Sequence, residues 1–395
     1  ENWQVCLLAL QLGATVIERH ITLDKNAVGL DHTSSSTPNE FAQLCAFSKN
    51  MGVILSGDDP RACNQGELLN RQNLGRSYFA AADMDMGDTL SLESVVYRAP
   101  NTGISNAGIQ GFIGRTVATP IKQGTPITKS LFDLPGALPD EVIEFARSNA
   151  ISLPVRLHDI KEIAYQFPIG AYEFHLSFEE VSSDIDLSII ESTNRYSIHL
   201  PDYISSTALM DPFSANLEQR KASLEILERT VRFAERLQDM CGTNVPIVGS
   251  FSIVHTDLNR FFDDYANLVQ TFQQRDVEVL PQWLPPIAWY FGGSVELNVM
   301  NNLQDVELIQ SHNLSICMDV CHLIMGRNSY GYSAASLMDT LNANIRHLHI
   351  ADARGIDGEG VVFGDGEPEN LDLIHKAIAH DCLKVIEVWQ GHLDR

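Results

Sequence analysis

Beyond position 140 the chain repeats one pattern. A short run in which apolar and polar positions alternate is followed by a longer stretch with apolar residues three and four apart, the periods of strand and helix. The short runs predict strands at Leu153–Leu157, Ala171–Leu176, Arg195–Leu200, Val245–Ile253, Ser294–Val299, Leu314–Asp319, Ile345–Ile350 and Leu383–Val388. The clearest helix runs from Leu217 to Cys241, with Leu217, Leu224, Leu227, Val231 and Ala234 on one stripe. Strands alternating with helices imply a parallel sheet, and this many of them over 140–395 predict a complete (β/α)8 TIM barrel.

The front of the chain has a different texture. Residues 1–58 read as helix (Val5, Leu8 and Leu12 on one face), a C-cap at Gly13, a strand over Ala14–Ile21, a loop over Gly29–Pro38 and a closing helix. The opening directly into a helix at Glu1, with no methionine, predicts a piece of a longer protein. Residues 59–75 are polar and without periodicity, an expected linker. From 76 to 134 short apolar runs alternate with glycine-centred turns such as Met86-Gly87-Asp88, predicting a small β-rich domain, and the prolines and glycine of 134–139 predict a second linker. The expected fold class is therefore α/β, with a partial barrel end, a small β domain and then a whole barrel.

In the predicted barrel strands the helix-facing positions are apolar, so the polar partners point into the lumen, where such barrels keep their sites at the strand ends. Glu173 and His175 oppose Phe174 and Leu176; His199 opposes Ile198 and Leu200; Glu296 opposes Val295 and Leu297. Asp319 opposes Met318, His347 and His349 oppose Leu348 and Ile350, and Glu387 opposes Ile386 and Val388. One inward His or Glu is commonly a satisfied core residue. Three carboxylates and an imidazole from Glu296, Asp319, His349 and Glu387 are another matter, because together they would repel unless a cation lay between them. Mixed oxygen and nitrogen donors suit Mn2+, Mg2+ or Co2+ better than a structural Zn2+. His322, three residues beyond Asp319, is expected as a further ligand or a substrate contact.

Composition narrows the partners. The 395 residues carry a formal net charge of -24, which disfavours nucleic acid and anionic membrane surfaces, and no apolar run is long enough to span a bilayer. Seven cysteines without a CxxC pair predict reduced thiols and a cytoplasmic setting.

Specific segments carry two resemblances. Cys317 to His322, His347 to Asp352, Gly364-Asp365-Gly366 and Val385-Ile386-Glu387 resemble the late strands of the xylose-isomerase-like sugar phosphate isomerase and epimerase superfamily, which includes the apurinic endonucleases. That resemblance implies Glu296, Asp319, His349 and Glu387 as metal ligands, with Glu296 and Glu387 also moving a proton at a sugar carbon. His175 and His199 match positions that bind additional zinc in the endonuclease branch, and are expected here to face substrate. That branch also places an acid and a histidine after the seventh strand, whereas residues 355–366 hold acids and no histidine. This departure and the acidic surface favour sugar chemistry, with a zinc phosphoesterase and a non-catalytic carbohydrate-binding or assembly module as the alternatives.

At the front, Glu18 to Lys25 and Gly29 to Ser35 resemble the last strand and loop of sialic acid synthases. Arg76-Ser77, Met86-Gly87-Asp88 and Tyr97 to Ile104 resemble that family's antifreeze-like capping (SAF, β-clip) domain. The resemblance implies His20 as a ligand of a catalytic Mn2+, Glu18 and Asp31 as sugar contacts, and Arg98 as a contact to the substrate's acyl group across a homodimer. It also implies phosphoenolpyruvate and an N-acyl amino sugar as substrates. The family's earlier strands, with the second histidine and the phosphoenolpyruvate site, would precede Glu1, so this half is not expected to work alone.

Overall fold

Alternation along the strands decides which side chains meet the helices and which meet one another. In the strand Ala171–His175, Tyr172 and Phe174 are buried against helices, while Glu173, fully buried, and His175 turn inward. The same split recurs in Ile345–Ile350, where Leu348 and Ile350 oppose His347 and His349. The computed structural model describes residues 3–55, 63–132, 138–252 and 257–389. The chain divides into two units, Glu1–Cys63 and Asn64–Arg395, so the small β domain falls in the same unit as the barrel.

Eight parallel strands form the large sheet: β1 (Ile151–Val155), β2 (Ala171–His175), β3 (Arg195–His199), β4 (Ile247–Gly249), β5 (Val279–Pro281), β6 (Ile316–Asp319), β7 (Ile345–Ile350) and β8 (Leu383–Ile386). They pair in chain order from β1 to β5 and from β6 to β8, with β8 beside β1. A parallel bridge between Gln282 and Cys317 joins β5 to β6 and closes the circle. Seven of these overlap the predicted strands. The fifth does not: Gly293–Glu296 pairs antiparallel with Ile287–Tyr290 in a hairpin, and Val279–Pro281 takes the barrel position. The alternation around Glu296 is that of a hairpin with one exposed face, whereas a three-residue strand ending in proline carries almost no period of its own. The end of the fourth predicted strand, Ile253, lies outside the described residues.

The long helix Leu217–Cys241 starts at Asn216, whose side chain accepts from Glu218 N and Gln219 N, and stops at Gly242 with φ of 66°. Its buried face runs through Ser223, Ile226, Leu227, Thr230, Val231, Phe233, Ala234 and Leu237. The predicted stripe is right at Leu227, Val231 and Ala234, but Leu217 and Leu224 are exposed, because packing on the sheet rotates the contact face toward Ile226 and Phe233. Together with the outward strand residues this face belongs to one continuous apolar core around the barrel.

The small β domain holds its own core of Ala80, Met84, Leu90, Val95, Ile109, Val117, Ile121, Ile127 and Phe132. Its regular pairing is short: Ser77–Ala80 runs antiparallel to Val95–Arg98, supplemented by bridges at Phe79–Pro126, Met84–Ile121 and Thr89–Thr116. Gly87, with φ of 98°, turns as the sequence predicts. Within the expected linker 59–75, residues 59–62 lie outside the described residues, but Gln65–Leu74 is a helix with a reciprocal Asn64–Glu67 capping box. Most of the second expected linker, 134–139, also lies outside the described residues.

In the first unit, helices Gln4–Gln11 and Pro38–Leu55 form as predicted, with Gly13 in a positive-φ conformation. The predicted strand Ala14–Ile21 is not a regular strand: among the described residues it has a single β-bridge, Ile21 with Ser36, and an extended segment needs a ladder partner along its length to become a strand.

Candidate metal centre in the barrel

The inward residues at the carboxyl ends of the strands meet around His349. Its Nε2 lies 2.9 Å from Glu173 Oε1, and its Nδ1 lies 2.7 Å from Glu387 Oε2 and 3.8 Å from Asp319 Oδ2. Glu173 is the hub beneath the site. Besides His349 it meets His175 Nε2 at 2.9 Å and His347 Nε2 at 3.1 Å, and it accepts from Ser197 Oγ at 2.7 Å. A carboxylate holding the far nitrogen of an imidazole fixes the near nitrogen as a lone pair or a proton aimed into the site.

Gln282, at the end of β5, ties the ring together. Its Nε2 donates to Asp319 Oδ2 at 2.9 Å and lies 3.2 Å from His349 Nδ1, while its Oε1 lies 3.3 Å from His199 Nε2. His175 and His199 stack with centroids 4.8 Å apart, and His175 Nδ1 is 3.8 Å from Glu387 Oε1. Asp319 does double duty: Oδ1 accepts from His322 N at 3.0 Å, capping the helix Val320–Tyr330. His322 donates from Nδ1 to the Trp283 carbonyl at 2.8 Å and places Nε2 2.9 Å from Glu359 Oε1.

Electrostatics follow from this packing. Burial alone would raise the Glu173 carboxyl, but His349, His347 and His175 outweigh it and hold it well below the usual range. Glu387, about a third exposed, is likewise pushed up by burial and brought below its usual range by His349, with His175 and His199. His349 is disfavoured as a cation by burial, yet Cys317, Glu173 and Glu387 raise it well above its ordinary value. Burial raises Asp319 against the pull of His322 and His349. The arrangement calls for a positive charge at His349 Nδ1, where either a proton or a metal ion can supply it.

The donors fit a divalent cation. One atom each from His199, His349 and Glu387 lies within 4.8 Å of the others, and Asp319 and Gln282 adjoin them. Cys317, His347 and His349 form a second such group, wholly buried behind the first.

Of the residues expected in the site, Asp319, His349, Glu387, His175, His199 and His322 come together. Glu296 does not: it is exposed on the hairpin strand Gly293–Glu296, outside the eight-stranded sheet, and is absent from the cavity wall. Gln282 and Glu359 escaped the sequence reading, Gln282 because a proline-dense stretch hides its strand and Glu359 because it lies in the short hairpin after β7. Glu173 is legible in the alternation of β2 but carries no signal that it serves three histidines. In the first unit Glu18 is exposed, and His20 Nδ1 lies 3.6 Å from Asp31 Oδ2, both exposed. In the small β domain the exposed Arg98 stacks over Phe79 at 4.5 Å and donates to the Gly124 carbonyl at 3.3 Å.

Residues 182–392 match the family model described as xylose isomerase-like TIM barrel, over half of the chain. Residues 1–58 match the NeuB family and residues 75–133 the SAF domain. Over 119 residues the chain is 32% identical to the N,N'-diacetyllegionaminic acid synthase of Campylobacter jejuni, covering 30% of this chain and 35% of that protein. Over 130 residues it is 29% identical to the human N-acetylneuraminate-9-phosphate synthase, covering 33% and 36%. The chain thus spans about a third of the length of these curated relatives. A solved D-tagatose 3-epimerase-like protein is similar with a TM-score of 0.43 and 17% identity, over 60% of this chain and 90% of that one. Among the described residues no helix is long and apolar enough to cross a membrane.

Proposed function

The chain belongs to the xylose isomerase-like TIM barrel family, and from that premise we propose that its barrel is a divalent-metal-dependent sugar isomerase or epimerase. The observation that carries this reading is the aim of His349: Nε2 lies 2.9 Å from the buried Glu173 carboxylate, and Nδ1 faces Glu387 and Asp319. A bound Mn2+, Mg2+ or Co2+ would supply Lewis acidity toward two sugar oxygens. His349, Asp319 and Glu387 would hold it, with His199 beside them and the Gln282 side-chain amide fixing Asp319 through Nε2 and facing His199 through Oε1.

Glu387 is the proton acceptor in this proposal. Its depressed pKa keeps it a carboxylate at neutral pH, and its partial exposure opens it to the cavity. The second proton carrier, a role expected of Glu296, falls to the His322–Glu359 pair, which lines the same cavity. His175 and His199 would orient sugar hydroxyls. The alternative of a zinc phosphoesterase finds less support, because Arg156 is the sole Lys or Arg among the described residues of the cavity wall, against five acids.

For the front of the chain we propose a part in a sialic-acid-synthase-type condensation of phosphoenolpyruvate with an N-acyl amino sugar. The NeuB and SAF matches support it, and so does the His20–Asp31 pair. In that reading His20 is a metal ligand, Glu18 and Asp31 hold the sugar, and Arg98 serves the partner subunit of a homodimer.

The test combines metal analysis of the purified chain with a screen of aldoses, ketoses, their phosphates and N-acyl hexosamines. Glu387→Gln is expected to keep the fold, by circular dichroism, and to lower turnover about 10²–10⁴-fold, the usual contribution of a general base. Unchanged turnover would remove Glu387 from the chemistry and the isomerase reading with it.

A further inference from the structure

The helix Gln65–Leu74 precedes the small β domain in sequence yet packs on the barrel. Near its start, Gly66 is buried against the Trp289 indole, and a Cβ there would collide with the ring. Near its end, the Gln72 carbonyl accepts from Asn101 N at 2.7 Å, tying it to the small β domain. Held at both ends, the helix presents Leu69 and Gln72, one turn apart and half-buried, to the same cavity that Asp319, His322 and Glu387 line.

That cavity measures about 1290 Å³, beyond the roughly 300–1,000 Å³ that small-ligand pockets occupy, so a single sugar ring on the metal-centre residues would leave much of it empty. Four aromatic side chains, Trp289, Tyr290, Tyr203 and Trp389, line its wall. Tyr203 and Tyr290 meet edge to face at 6.1 Å and 72°. Sugar rings pack their C–H faces on aromatic walls, and their hydroxyls suit carboxylates and amides. A phosphate, by contrast, would find a single guanidinium, that of Arg156, already 3.4 Å from Glu180, and five carboxylates.

We propose that the helix Gln65–Leu74 roofs the barrel site, and that Leu69 and Gln72, with Trp289 and Tyr290, form a subsite for a second, uncharged ring. The substrate class is then a neutral glycoside of at least two rings and not a sugar phosphate. This deepens the reading of the barrel as a sugar enzyme and rests on it.

Tryptophan fluorescence titration of the full chain tests it, with Trp289 and Trp389 as reporters. The probes are maltose, cellobiose and N,N'-diacetylchitobiose, their monosaccharides, and glucose 6-phosphate and fructose 6-phosphate. At least one disaccharide is expected to bind about tenfold more tightly than its monosaccharide and than either phosphate. Leu69→Arg and Gln72→Ala should each erase that advantage while leaving monosaccharide binding and the thermal midpoint as in the wild type. Leu69→Ala, the milder change, guards against misfolding of the arginine variant. Sugar phosphates binding as tightly as every disaccharide, an advantage that survives these substitutions, or no binding by any probe would overturn the proposal. Turnover that persists in Glu387→Gln would instead sink the isomerase reading and leave the subsite standing.

Discussion

Removing the charge of Glu173 strikes the site from below, without touching a residue that faces the cavity. Glu173→Gln keeps the shape, and the amide can still bond Ser197. It must, however, turn an N–H toward at least one of three imidazole nitrogens at 2.9–3.1 Å that now meet a carboxylate. His349 then loses the carboxylate charge 2.9 Å from its far nitrogen, and the preference that aims its near nitrogen at Glu387 and Asp319 weakens. Loss of such a supporting carboxylate weakens metal binding about 10–100-fold, or about 1.4–2.8 kcal/mol. Stability should fall too. Breaking a fully buried ion pair by removing one partner costs about 3–5 kcal/mol, and the retained Ser197 bond places this case near the lower figure. Competition against a fluorescent chelator reads the Mn2+ affinity, and urea denaturation reads the stability. Mn2+ affinity and denaturation midpoint both equal to wild type would refute the claim that Glu173 organises the histidines.

His322 predicts a pH dependence. Burial disfavours its cation, but Asp319 and Glu359 push its pKa up to about 9 from an ordinary 6.5. Because the folded value is the higher one, the stabilisation is fully present below about pH 6.5 and is lost as pH rises through about 9, on the order of 3 kcal/mol in all. Urea denaturation from pH 6 to 10 should show this loss in the wild type and a flatter curve in His322→Gln; parallel curves would contradict it. Gly66→Val is expected to destabilise the larger unit by about 1–3 kcal/mol through overpacking against Trp289, lowering the thermal midpoint. An unaltered midpoint would mean that the helix Gln65–Leu74 is not seated on the barrel.

Seven of the eight barrel strands and the inward facing of Asp319, His349, Glu387, His175 and His199 were readable from periodicity, because a strand buried on both faces must still sort apolar side chains toward helices and polar ones toward the lumen; His322, on the helix after β6, was legible only from its place three residues beyond Asp319. Asp319, His349 and Glu387 announce themselves in that way, and the glycines at 87 and 13 announce a turn and a helix end. Short-range patterns cannot say which strand lies beside which. The alternation at Glu296 is as regular as that at Glu387, yet one belongs to a hairpin and the other to β8. Only closure of the sheet between Gln282 and Cys317 puts an amide at the centre, and only the approach of β7 to β2 brings the imidazoles of His347 and His349 onto Glu173, beside His175 of its own strand. The helix at 65–74 likewise takes its meaning from a glycine under Trp289, more than two hundred residues away in sequence. Composition and period set local geometry and facing; long-range contacts, invisible to both, decide which charges share a dielectric and so what chemistry the barrel can support.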